Sequence, residues 1–412
     1  MSGAATAFPR AISRLETRPD GHSPLWLQGL RRAALRWVSE RGFPTPKDEA
    51  WKYTRIDPIL RIPFEPAESS ASRRLSASAI DRLACDLGGP RLVFVNGHFG
   101  RFAPERSRLG GLPPGVRITN LASALREDGS TIAPLLSRSL REHRSGFTAL
   151  NAALAEDGAF VHIPPNTTIE EPIHLVFLSD TGAAPVVSHP RTTVVAAPGS
   201  RATIVETYAG IPGDVYLTNA VSEVVVEEGA AIEHYNFQNE PETAFHVDLL
   251  SVRQGRGSSF SSHAVALGSS IGRHEVAVAL EARGAEVTLN GLYMPRGEQH
   301  LDNPTTIEHA APHCTSREIY KGVVSGQGRG VFDGRVVVRE GAFKTDASQT
   351  NKNLLLSEAA QADTRPRLEI FADDIKCAHG AAVGQLDEDA VFYLRSRGIP
   401  EEEARGLLTS AF

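Results

Sequence analysis

The 412-residue chain is long enough for two or three domains, or for one elongated repeat with smaller ends. With 41% hydrophobic and 22% charged residues it has the composition of a soluble globular protein, and no apolar run approaches the ~18–20 residues of a membrane span. A net charge of -6 leaves no basic excess for nonspecific nucleic-acid binding, and Cys85, Cys314 and Cys377 are too few and too far apart for a disulfide framework. The first residues are broken by Pro9 and by charge from Arg10 onward, so no apolar signal segment is expected and the chain reads as cytoplasmic.

Residues 1–145 read as a mixed, helix-rich segment. Ser23 and Pro24 look like the N-cap and first position of a helix with Leu27, Leu30, Ala34 and Val38 at helical spacing, stopped by Gly42. A second helix is expected around Ile80, Leu83, Ala84 and Leu87, with Cys85 on its apolar face. Asn96-Gly97, between Leu92–Val95 and His98–Phe102, predicts a hairpin, and Phe147, Leu150 and Leu154 mark a third helix ending at Gly158.

From about Ala159 the character changes to short β-branched runs closed by glycine. They are Val194–Gly199 (VVAAPG), Val224–Gly229 (VVVEEG), Ser251–Gly257 (SVRQGRG), Val278–Gly284 (VALEARG) and Val336–Gly341 (VVVREG). Their final glycines are 30, 28, 27 and 57 residues apart, the last being about two periods. A strand repeat of that size cannot bury its own apolar face, so it must stack, and 146–385 is expected to be a β-helix. An antiparallel sandwich is the competing reading of short strands and regular turns.

Beyond it, Leu368 and Ile370, then Ile375, Cys377 and His379, alternate as strands do on either side of Asp373-Asp374. Residues 386–412 turn helical: Asp387 can cap one helix through Val391 and Leu394 to Gly398, and Pro400 with Glu401, Glu402 and Glu403 opens another. A solenoid leaves an end strand unpaired, so this tail must either cap it or present it to a partner.

Cys377-Ala378-His379 is the leading chemical candidate, because residues two apart on a strand face the same way and thiolate with imidazole suits iron, zinc or copper(I). A half-buried cysteine beside a hydrogen-bonded histidine is the ordinary reading of an isolated pair of this kind. A cluster normally takes four ligands, so three scattered cysteines require any cluster site to be completed by a second chain. His313-Cys314 would need a turn to act jointly, and His300, His309 and His313 match no compact metal spacing. No GxxxxGK[ST], HExxH or CxxC occurs. Gly326–Gly330 (GQGRG) leads into another strand, not a helix, so neither an ATP nor a dinucleotide site is expected.

Several runs resemble the SufB/SufD family of iron–sulfur cluster assembly proteins. They are Thr345–Ala359 (TDASQTNKNLLLSEA), Thr364–Phe371 (TRPRLEIF), Asp374–Ala381 (DIKCAHGA), Gly384–Asp389 (GQLDED) and Phe392–Gly398 (FYLRSRG), with Glu49–Thr54 (EAWKYT) near the start. The short chain, its few cysteines and Gly322–Gly334 (GVVSGQGRGVFDG) are similar to the SufD branch.

The resemblance implies a mainly β fold, a right-handed parallel β-helix between an N-terminal mixed helical segment and a short C-terminal helical segment. It implies a non-ATPase scaffold subunit of a SufBCD-type complex, paired with SufB through the β-helix end and with the ATPase SufC through the C-terminal helices, where Asp387, Phe392, Leu394 and Leu407 are the candidate docking residues. His379, and less strongly Cys377, would be ligands of a nascent, transient cluster shared with SufB, with no nucleotide bound by this chain. A homodimer is conceivable when the chain is alone. The competing function is a purely structural partner that positions SufB and SufC and contributes no ligand. A polysaccharide-binding solenoid would need clustered carboxylates and exposed aromatics on one strand face, which the sequence does not show.

Overall fold

The computed structural model describes residues 8, 24–67, 75–100, 111–136, 138, 145–182 and 184–412. Its centre is a parallel β-solenoid of about eight turns, each giving one strand to each of two sheets. The first sheet runs from Arg117–Asn120 through Ala159–Ile163, Arg191–Ala196, Tyr216–Val226, Phe245–Gln254, Ile271–Leu280, His300–His309 and Arg329–Val338 to Gln361–Thr364. In the second, Ile173–Ser179, Arg201–Gly210, Ala231–Asn239, Ser259–Ala266, Glu286–Tyr293, Thr315–Val324 and Asp346–Leu355 lead to Lys376–Gln385. The parallel registers decide against the antiparallel sandwich.

The glycine periodicity has a single structural cause. One corner of every turn is a residue in the left-handed region: Asn166, Gly199, Gly229, Gly257, Gly284, His313, Lys344 and Asp374. Each of these up to Lys344 donates its backbone N–H to the corner of the next rung, from Asn166 to the Pro198 carbonyl (2.8 Å) through His313 to Phe343 (2.9 Å) to Lys344 on Asp374 (2.8 Å). The 57-residue interval hid a corner occupied by His313, which periodicity of glycine could not reveal. Gly341 is also left-handed, but Lys344 and not Gly341 holds the stacked position. Immediately after the six corners from Gly199 to Lys344 a small side chain turns inward: Ser200, Ala230, Ser258, Ala285, Cys314 and Thr345, each at most 1% exposed. Cys314 is one member of that column, its Sγ–H donating to the Ala282 carbonyl at 3.3 Å. Its role is packing, and the His313-Cys314 pair is a corner and the residue behind it.

The N-terminal region extends both sheets, through Arg91–Val95 in the second and Arg117–Asn120 in the first. Asn96 and Gly97, with φ of 54° and 80°, form the expected two-residue turn, pairing Phe94 with Phe99 and Val95 with His98. Residues 101 and 102 of the expected second run lie outside the described residues. The helix Leu25–Arg41 has Pro24 at its cap position, not inside its first turn, and ends at left-handed Gly42; Ser23 lies outside the described residues. The helix Ala77–Leu83 is a turn shorter than its apolar spacing predicts. Asp86 accepts the Gly88 N–H at 3.0 Å and makes a turn there, which leaves Cys85 exposed and not on an apolar helix face. The helix Gly146–Leu154, capped by Ser145, is buried along nearly its whole length against Phe43, Trp51 and the first sheet.

Candidate functional site

The terminal strand Lys376–Gln385 pairs on one side with Asp346–Leu355 over ten residues in register, and no strand among the described residues pairs with its other side. Lys376 donates its N–H to the Thr345 carbonyl at 2.8 Å, which fixes the phase of a parallel ladder. Even-numbered residues turn their N–H and C=O toward the previous rung. Residues 377, 379, 381 and 383 turn theirs to the open side.

The register also fixes the side chains. Cys377, His379, Ala381 and Val383 lie over Ala347, Gln349, Asn351 and Asn353, which are 2%, 1%, 0% and 3% exposed because they face the solenoid interior. Sulfur and imidazole therefore share the interior face, as their spacing predicts, at the last rung, where no strand among the described residues lies above them. Nine of the strand's ten residues are exposed, and Cys377 alone is half-buried, resting with Ile375, Leu368 and Ala372 against the main core. Burial pushes the Cys377 thiol up, and the backbone N–H of Ala347 only partly offsets that, so the isolated chain favours the thiol over the thiolate.

Among the described residues no three His, Cys, Asp or Glu side chains gather in a way that could hold a metal ion. His300 contacts Thr54 at 2.9 Å, His309 contacts Ser316 at 2.9 Å and is pushed down to about 4 by burial, and His313 is a corner; the three do not converge. Cys377 and His379 offer at most two ligands, so a cluster of ordinary coordination at this edge would need the rest from another molecule.

The solenoid interior is more polar than the sequence reading anticipated. His246 lies 2.8 Å from Glu240 and 3.2 Å from Asp248, which also takes a 2.7 Å contact from His274. Although burial opposes charge, the two carboxylates hold His246 up at about 10, while burial, aided by His274 and His263, holds His234 down to about 3. The signal was present in Ala231–Asn239, where His234, Asn236 and Gln238 occupy the inward phase of an alternating strand.

At the C-terminus Asp387 accepts the Asp389 N–H at 2.9 Å and caps the helix Glu388–Ser396, so its demonstrated part is local. The following helix Glu401–Ala411 packs back on it through buried Val391 and Ala404, braced by Arg405 on Glu388 and Arg395 on Glu401. Leu394 is half-buried. Phe392 (69%), Tyr393 (57%) and Leu407 (49%) are exposed, an apolar surface on a small helical pair. Lys321 anchors the chain end, donating to the Phe412 carbonyl with its ammonium 5.2 Å from the ring.

These features define a class: a parallel β-solenoid whose last rung is left open, with a Cys-x-His pair facing its interior and an amphipathic helical pair beside it. Comparison with known proteins supplies the family. Residues 177–412 match the family model for the SUF system FeS cluster assembly SufBD core domain, and residues 13–175 match that for the SufBD protein N-terminal region. An iron–sulfur cluster assembly SufBD family protein of Synechocystis is 33% identical over 94% of this chain and 86% of its own length. The iron–sulfur cluster assembly protein SufD of Escherichia coli is 30% identical over 92% and 85%, and that of Bacillus subtilis 29% over 94% and 89%. The chain belongs to the SufB/SufD family of iron–sulfur cluster assembly proteins. No helix among the described residues is long and apolar enough to cross a membrane.

Proposed function

We propose that this chain acts in the cytoplasm as the SufD-type, non-ATPase scaffold subunit of a SufBCD-type complex. Its open rung pairs with SufB, its C-terminal helices dock the ATPase SufC, and the nascent cluster is cargo held between His379, Cys377 and SufB. The observation that carries this reading is the terminal strand. Its odd-numbered backbone groups and the side chains of Cys377 and His379 are all left uncovered by the same missing rung, so a strand from a second chain would complete the ladder and the ligand set together. The exposed Phe392 and Leu407 favour a protein partner at the helical pair.

Co-expression with SufB and SufC tests each part. Deleting residues 386–412 should remove SufC and leave SufB bound, and retention of SufC would sink the docking role. His379→Ala should preserve the complex while maturation of iron–sulfur enzymes falls at least tenfold. Normal maturation would instead support the purely structural partner, a reading that the protonated, half-buried Cys377 favours.

A further inference from the structure

Glu49–Thr54 and, apart from Leu368 beside Cys377, Thr364–Phe371 play no part in the site as described, and the fold brings these two motifs together. Trp51 is 5% exposed, stacked on Phe147 at 5.6 Å, and the guanidinium of Arg273 lies 3.9 Å from its ring centroid. Arg273 pairs with Asp302, and Thr54 donates to the same carboxylate at 2.5 Å. Because the Thr54 hydroxyl has one hydrogen, its 2.9 Å contact with Nε2 of His300 makes the imidazole the donor there. These contacts fasten residues 51–54 to the strands Ile271–Leu280 and His300–His309.

Glu49 and Tyr53 reach further, to the last rung. Arg365 donates one Nη to the Glu49 carboxylate and the other, at 3.1 Å, to the Glu49 carbonyl; it also pairs with Asp333, and its guanidinium lies 5.5 Å from the Tyr53 ring centroid. Arg365 stands where the last rung is weakest. Pro366 interrupts the strand there, so Gln361–Thr364 and Arg367–Ile370 each pair only four residues with Arg329–Val338, whereas His300–His309 pairs ten with the same strand. The chain then turns at Asp374 and becomes the open strand.

We propose that residues 49–54 form a clasp on the terminal rung, and that Glu49, Tyr53 and Arg365 are positioning residues for the strand carrying Cys377 and His379. The proposal deepens the function above and rests on it, since a pre-ordered edge matters only to a partner that must find it. An edge ordered before the encounter loses less conformational entropy on pairing. The Glu49 carboxylate is 70% exposed, so the clasp depends more on the guanidinium fork and the Tyr53 face than on the ion pair.

Hydrogen exchange on the isolated chain tests it. In Arg365→Ala, and in Glu49→Ala/Tyr53→Ala, which leaves Arg365 on Asp333, amides of 376–385 should exchange about tenfold faster while those of 245–254 are unchanged. Arg365→Lys keeps the charge on Asp333 but loses the fork and the planar face, and should exchange nearly as fast as Arg365→Ala. Unchanged exchange at 376–385 in Glu49→Ala/Tyr53→Ala, an equal rise at 245–254, or wild-type protection in Arg365→Lys would each overturn the clasp. The function itself is read separately, from protection of 376–385 when SufB is added to the wild-type chain. Its absence overturns that reading and leaves the isolated-chain comparison to decide the clasp.

Discussion

Glu318 lies two rungs beneath His379 in the same inward column, with Gln349 between them. It is 1% exposed, accepts from Gln349 Nε2 at 2.5 Å, and is pushed up to about 7 by burial that its hydrogen bonds only partly offset. The folded chain therefore holds this proton more tightly than the unfolded chain. The stability it contributes is present below the ordinary carboxyl value of 4.5 and is lost as pH rises from there to about 7. Glu318→Gln should remove that loss. Relative to wild type its unfolding free energy should gain about 3 kcal/mol between pH 4 and pH 8, measured by denaturant titration at both. A difference that stays flat with pH would show that the carboxyl is ionised in the fold. No sequence pattern marks Glu318. It alternates with Ile319 on an ordinary strand, and only the register of Thr315–Val324 between two neighbours sends the glutamate inward.

At the scale of elements, the terminal strand tolerates what an interior strand would not. Ala381 turns its N–H to the open side, so Ala381→Pro removes no intrachain ladder bond and belongs to a position where proline is accepted on edge strands. The isolated variant should keep its stability to within about 1 kcal/mol and yet fail to co-purify with SufB. A normal complex would mean that the partner does not use this backbone edge. The Cys-x-His pair and its shared face were legible in the sequence because alternation is a local property of strands. The openness of the edge was inferred from the logic of solenoids, and the structure supplies its particulars, including which backbone groups point outward. The helical tail was equally legible in its caps and acidic first turns. The exposure of Phe392 and Leu407, against the burial of Val391 and Ala404, depends on how two short helices meet.

Across the whole molecule, stability is distributed unevenly by construction. Each rung contacts only its neighbours, so a central rung is covered on both sides and the last on one. Amide exchange should slow from 376–385 inward through 346–355 and 315–324, with the slowest amides in 216–254, and a partner on the open edge should flatten the gradient. Uniform exchange along the solenoid would show that it opens as a single unit.

The sequence by itself determined that this is a stacked β-strand repeat with a period near 28 residues, a helical tail and a Cys-x-His pair on one strand face. These follow from φ-positive turns, strand alternation and helix caps, all of which act within a few residues. Where His or Lys took a left-handed corner, the same signal fell silent. Only the tertiary structure decided that Glu49 meets Arg365, 316 residues later, that polar side chains fill the interior, and that His379 stands exposed on a strand with no further strand among the described residues beside it. Those are consequences of register and rung stacking, which relate residues through the sum of every turn between them.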